Sequence, residues 1–202
     1  MTNPRVSRLD DYRAREARVE RRWFPWVLAS AYGIVFTLLG ADRYLTHSAL
    51  IDTGLFTQTI ASAFTTFSNP IEGVNHFAYH FSPILYLCAP LLLLWRSPIV
   101  LVAIQAFLAG LALVPIYLIV RARASERVAR AVTLIAALYP PLAGATFTDF
   151  HENAFVPAAT LWMLWAYDSR RWLWGGVAAL VLLATKEDQT LLLIWFAACA
   201  FG

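Results

Sequence analysis

Charge is scarce in this chain. Only 14% of its 202 residues are charged, against about 25% in soluble domains. The length alone would allow one soluble domain, but that composition argues against it. Cysteine is scarce too. Cys88 and Cys199 both lie inside apolar blocks and read as small hydrophobes, not as a disulfide or a metal centre. There is no internal repeat, no low-complexity tract and no second soluble domain. What fills the chain is apolar: 59% hydrophobic, with eight Trp and thirteen Phe and a mean hydropathy of +0.58. A soluble fold of this length could not easily cover that surface. The class implied is an all-α integral membrane protein, a polytopic helical bundle.

The arginines are unevenly spread. Residues 1–22 form an arm with seven of them, interleaved with Asp10, Asp11, Glu16 and Glu20. Those acids dilute the field, which argues against nucleic-acid binding and for the flank of a membrane anchor. The apolar run 24–41 ends in Asp42-Arg43-Tyr44, not in a small-residue cleavage site, so an uncleaved anchor is expected. Further spans are expected at about 98–120, 131–147, 154–167, 172–185 and 189–202, making about six in a membrane domain 23–202. The later ones approach the roughly 20 residues of a crossing only by including polar ends. Segment 83–95 is shorter and contains Pro90, which suits a re-entrant or interfacial piece. If it does not cross, the arm, the 121–130 loop and the 169–171 turn share one side. That side then holds thirteen of the sixteen basic residues, and the positive-inside rule makes it the cytoplasm. A multi-pass plasma-membrane protein with its N-terminus inside is the expectation.

That topology puts Asp52, His76, His80, Asp149, His151, Glu152, Lys186, Glu187 and Asp188 outside. The first outer loop, 42–82, contains an amphipathic stretch at 53–67. Phe56, Ile60, Ala63, Phe64 and Phe67 share a face there. A surface helix is expected, started by Asp52 as N-cap and ended by Asn69-Pro70. Ser82-Pro83 and Ser97-Pro98 read as N-cap plus first-turn proline. Pro115 and Pro140-Pro141 should kink their spans.

Each polar cluster has a plain reading and a chemical one. Asp52 is a helix cap, or a catalytic or metal-binding carboxylate. His76 and His80, four apart, are interfacial histidines bonded to backbone, or two ligands for one metal with His151 nearby. Asp149-Phe150-His151-Glu152-Asn153 holds more ionisable groups than a turn needs, since Asn153 alone could cap it. Uncompensated groups beside an apolar bundle are costly, which points to function. Lys186-Glu187-Asp188 is a capped turn, or a hand that grips a phosphate. Gln105 is the main polar residue deep in a span. It gives thin support to a transport path, which ionisable residues near kinked helices can also mark.

The segments Asp52-Thr53-Gly54-Leu55-Phe56-Thr57-Gln58, His80-Phe81-Ser82-Pro83, Asp149-Phe150-His151-Glu152 and Lys186-Glu187-Asp188 occur in that order. They resemble the prokaryotic membrane proteins grouped as DUF2079, over nearly the whole chain from about Arg43. That family is similar in turn to the GT-C glycosyltransferases. The resemblance implies transfer of a sugar from a polyprenyl-phosphate donor at the outer face. Asp52 then matches the first-loop acid at the active site, and Asp149 or Glu152 a second acid. Lys186, Glu187, Asp188, His80, Gln58 and Arg43 would bind substrate. A divalent metal ion held by His76, His80 or His151 is the one cofactor implied, and membrane lipid is the surrounding partner. Relatives are typically longer, so a fragment or a natural short form is expected. A transporter or channel, and a non-catalytic scaffold with a structural metal site, are the alternative functions.

Overall fold

The computed structural model describes residues 23–46 and 51–201. The expected 1–22 arm lies outside them. Among the described residues the regular structure is helical, apart from one isolated bridge between Ser68 and Asn75. The α-helices are α1 (Phe24–Leu45), α2 (Ile51–Ala61), α3 (Ala89–Leu94), α4 (Ile99–Arg123), α5 (Glu126–Ala137), α6 (Pro140–Phe147), α7 (Phe155–Asp168), α8 (Trp172–Thr185) and α9 (Gln189–Phe201). Short 3₁₀ turns cover His76–Ala78, Pro83–Leu87 and Glu152–Ala154.

α4 is the axis, and it packs on α1, α5 and α7. More than half of its most apolar window is buried inside the protein, against 28% for α1. α1 runs antiparallel to it: Phe24 meets Tyr117 with ring centroids 5.7 Å apart, and Gly40 meets Val102 at the other end. Small residues set the spacing. A Cβ added to Gly33 would come within 2.6 Å of the Phe107 ring, and one added to Gly110 would collide with the backbone carbonyl of Ala29. Backbones approach this closely only where side chains are absent.

Two helices, α1 and α4, are long and apolar enough to cross a membrane. A third crossing arises if α5 and α6, bent by 47° at their break, count as one. That bend falls where Pro140-Pro141 predicts it, because proline cannot continue the α5 hydrogen-bond ladder. Pro115 sits inside α4, which continues past it to Arg123. The expected six spans are therefore corrected to two or three by length and composition. α7, α8 and α9 exist as helices, but with 14, 14 and 13 residues. At 1.5 Å per residue the longest covers about 21 Å, short of a roughly 30 Å hydrocarbon core. The polar turn 169–171 ends α7, and the turn 186–188 ends α8 and precedes α9.

The surface helix at 53–67 is also corrected. α2 stops at Ala61, and Phe67 adopts φ 47. Asp52 lies one residue inside the helix. Phe56, Ile60, Ala63 and Phe67 do share a side, but they pack inward on Leu85, Cys88, Leu101 and Phe150, while Phe64 is exposed. Burying each of the larger ones contributes about 1.5–3 kcal/mol. Segment 83–95 becomes a 3₁₀ turn and the six-residue α3, about 9 Å long and far too short to cross. Ser97 Oγ accepts from the Ile99 amide at 3.3 Å, but the N-cap of α4 is Pro98, one residue later than expected. Ser82 Oγ is buried and makes no capping bond.

The bundle has two chemically different ends. At one, Arg123 pairs with Asp168, Arg130 lies 5.0 Å over Phe24, and Arg171 lies 4.9 Å over Trp165. At the other, the end of α1, the start of α4 and the turns after α6 and α8 meet the loop that carries α2.

Candidate functional site

The site grows from one turn. α6 ends at Phe147, and residues 148–151 lead into α7. Gln105 of α4 reaches across to hold that turn. Its two Nε2 hydrogens are shared among the carbonyls of Ala145, Thr146, Thr148 and Asp149 at 3.1–3.4 Å, and its Oε1 accepts from the His151 amide at 3.3 Å. The lone amide in an apolar helix is thus a brace. Its signal was present in the sequence, as a polar group too costly to leave in a span, but its partners lie about 40 positions away.

Asp149 ties the turn to two other elements. Its Oδ1 is 3.4 Å from the Arg43 guanidinium, and its Oδ2 accepts from the Asp52 amide at 3.0 Å. Arg43 also donates to the Phe147 carbonyl at 2.6 Å. Thr53 Oγ1 accepts from the Phe150 amide at 2.9 Å. α2 is thereby fastened by its first turn, where its amides lack helical partners. The fastening brings Asp52 Oδ2 within 3.1 Å of His151 Nε2. Both side chains are close to half exposed. The His151 ring stands edge-on to Phe56, 5.3 Å between centroids. Beside the pair opens a cavity of about 300 Å³, lined by Gln105, Thr148, Asp149, His151 and Asn153.

Behind His151 lies a buried charge pair. Glu152 has 2% of its side chain exposed, and Lys186 Nζ is 3.3 Å from its Oε1. Lys186 is the single lysine of the chain. Glu152 Oε2 has no hydrogen-bond partner and lies 3.9 Å from His151 Nδ1, beyond hydrogen-bond range. Half-exposed Asp52 and His151 thus stand next to a buried carboxylate whose ammonium partner still reaches the surface. Asn153 does not cap α7, whose N-cap is Ala154 with no side-chain bond.

A second knot sits alongside. His80 Nδ1 is 3.1 Å from Glu187 Oε1, and the Phe81 amide donates to Oε2 at 2.9 Å. The carboxyl of Glu187 is lowered from its ordinary 4.5 to about 2, chiefly by its own backbone amide and then by the His80 side chain, with the Phe81 amide adding to them against a smaller opposing effect of burial. A carboxyl lowered in the folded state contributes stability above its unfolded pKa and loses it as pH falls through the folded one. Glu187→Gln should therefore be less stable than the parent near neutral pH. The gap should close as pH falls from 4.5 to about 2. Detergent-phase melts followed by circular dichroism read this, and a gap that stays constant across that window would refute it.

The histidines go to different carboxylates. His76 is buried, with Nδ1 3.2 Å from both oxygens of Glu72, and its ring is 6.1 Å from that of His80. The 3₁₀ turn between them denies the pair the shared helical face that an i, i+4 spacing would give. Among the described residues no group of three His, Cys, Asp or Glu is placed to hold a metal ion. Asp188 accepts from the neighbouring Gln189 side chain, and Gln58 is exposed on α2. The structure thus joins Arg43, Asp52, Asp149, His151, Glu152 and Lys186, sets His80 with Glu187 beside them, and leaves Gln58 and Asp188 outside the network.

No curated protein and no solved structure matches the chain. A family described as "Predicted membrane protein (DUF2079)" matches residues 44–200. That stretch takes in α2 through nearly all of α9 and every site residue named above except Arg43, so the chain belongs to the DUF2079 family of predicted membrane proteins.

Proposed function

We propose that the Asp52–His151 end of the bundle is the active site of a glycosyl-transfer enzyme. It works at the outer membrane face on a lipid-phosphate sugar. One observation carries this reading. Two half-exposed groups able to move a proton stand 3.1 Å apart beside a cavity, and Asp149 and Gln105 hold them from behind. A carboxylate that served only to start a helix would not need that support. The positive-inside argument supports the outer placement, and the GT-C resemblance supports the substrate class.

In this mechanism the Asp52 carboxylate takes the proton of an acceptor hydroxyl. The freed oxygen attacks the anomeric carbon. The bond from that carbon to the phosphate oxygen breaks, and the lipid phosphate leaves with the electron pair. His151 Nε2 orients the carboxylate. Asp149 and Glu152 act as positioning acids. Arg43 and Lys186, already opposite those acids, lend positive field to the phosphate. Gln105 is occupied as a brace, which weakens its support for a transport path.

The test is transfer from a polyprenyl-phosphate sugar by protein in lipid nanodiscs. Asp52→Asn keeps the shape and removes the base, and should cost about 10²-fold or more in rate. His151→Gln should cost less, since an amide can still donate to Asp52. Undiminished transfer by Asp52→Asn would sink the assignment.

A further inference from the structure

α4, α7 and α8 do not close on one another along their whole length. Between them runs a groove of about 510 Å³, apolar but for one residue, with Leu111, Trp162, Trp174 and Val177 among its walls. Along α7 it extends from Phe155 to Trp165, about 15 Å at 1.5 Å per residue. That is the depth of one leaflet, half of a hydrocarbon core about 30 Å thick. Its one charged lining residue is Arg171, whose guanidinium lies over Trp165 at the arginine-rich end. Arg170 stands next to it with φ 57. There the Arg170 amide bonds the Tyr167 carbonyl and the Arg171 amide bonds that of Ala166. This is the helix-stop position at which glycine is usual, yet here it carries a cation.

The geometry points to a binding site for an anionic glycerophospholipid, one acyl chain in the groove and its phosphate at Arg171 and Arg170. Its cationic mouth lies at the opposite end of the bundle from Asp52 and His151, and binding there does not depend on their chemistry. Depth, apolar walls and a cationic mouth each match one part of such a lipid. Arginine beside tryptophan also suits the headgroup level, where amphipathic rings and cations gather.

Quenching of tryptophan fluorescence by brominated lipids tests this, since Trp162, Trp165 and Trp174 line the groove. Protein in phosphatidylcholine nanodiscs should reach half-maximal quenching at about fivefold lower mole fraction of brominated phosphatidylglycerol than of brominated phosphatidylcholine. Arg171→Gln should erase that preference. Val177→Phe, which narrows the groove at a half-exposed position, should move the phosphatidylglycerol curve to higher mole fraction. Should Arg171→Gln fail to fold, competition on the parent protein decides: unbrominated phosphatidylglycerol should reverse the quenching and phosphatidylcholine should not. Equal curves for the two lipids overturn the proposal and leave a general lipid-facing seam or a helix-docking face. A preference that survives Arg171→Gln, or is untouched by Val177→Phe, overturns it as well.

Discussion

Lys186→Met should destabilise the folded protein by about 3–5 kcal/mol, the usual cost of removing one partner from a buried ion pair. Glu152 is almost wholly buried, and one of its oxygens already lacks a hydrogen bond. Without the ammonium, the carboxylate keeps its desolvation cost and loses its compensation. Glu152→Gln should cost less, because Lys186 is 20% exposed and can turn its head toward water. Lys186→Met combined with Glu152→Leu should recover most of the loss, since replacing both members of a buried pair by apolar groups is often neutral or better. The double-mutant cycle should therefore show a coupling above about 2 kcal/mol. Reversible unfolding in detergent measures it. A Lys186→Met cost below about 1 kcal/mol would refute the pair as a stabilising contact.

Gly110→Leu should be the most damaging change away from the site. The atom in the way is the backbone oxygen of Ala29, not the end of a flexible side chain. Rotamer change cannot relieve that clash, so α1 and α4 must separate along their contact. Overpacking costs about 1–3 kcal/mol where side chains can yield, and here about 3 kcal/mol or more is expected. Gly33→Ala meets the Phe107 ring instead, and that ring can tilt, so its cost should be smaller. Comparing the two melting midpoints separates backbone collision from side-chain crowding. Equal midpoints would show that the α1–α4 contact is soft.

Much of the site was visible in the sequence because charge stands out in so apolar a chain. Asp52, Asp149, His151, Glu152 and Lys186 each stand out, and the fold brings all five together with Arg43. Their partnerships were not visible. Asp149 looks like a second reactive acid until its oxygens are found on Arg43 and on the Asp52 amide, 106 and 97 positions away. His76 and His80 have a helical spacing, but Asn75 takes the Phe77 amide and starts only a three-residue turn, so the rings find Glu72 and Glu187 instead. The 53–67 face was half visible: Phe56 and Ile60 follow the helical period, whereas Phe67 reaches the same core only after the helix has ended and the chain has turned. Span length was overestimated for one reason throughout. Hydropathy does not mark where an apolar helix stops, and the turns at 169–171 and 186–188 stop α7 and α8 early.

Gln105 places an unusual demand on its own codon. Four carbonyls ask that side chain for a donor while the His151 amide asks it for an acceptor. Glutamate would answer the amide and set a negative charge against the carbonyls. Lysine would answer the carbonyls and leave the amide unmet. Leucine would meet neither, and asparagine carries the same fork one methylene short. Any replacement at this position should therefore loosen the 145–151 turn, although the position lies in a helix whose other buried side chains are nearly all apolar.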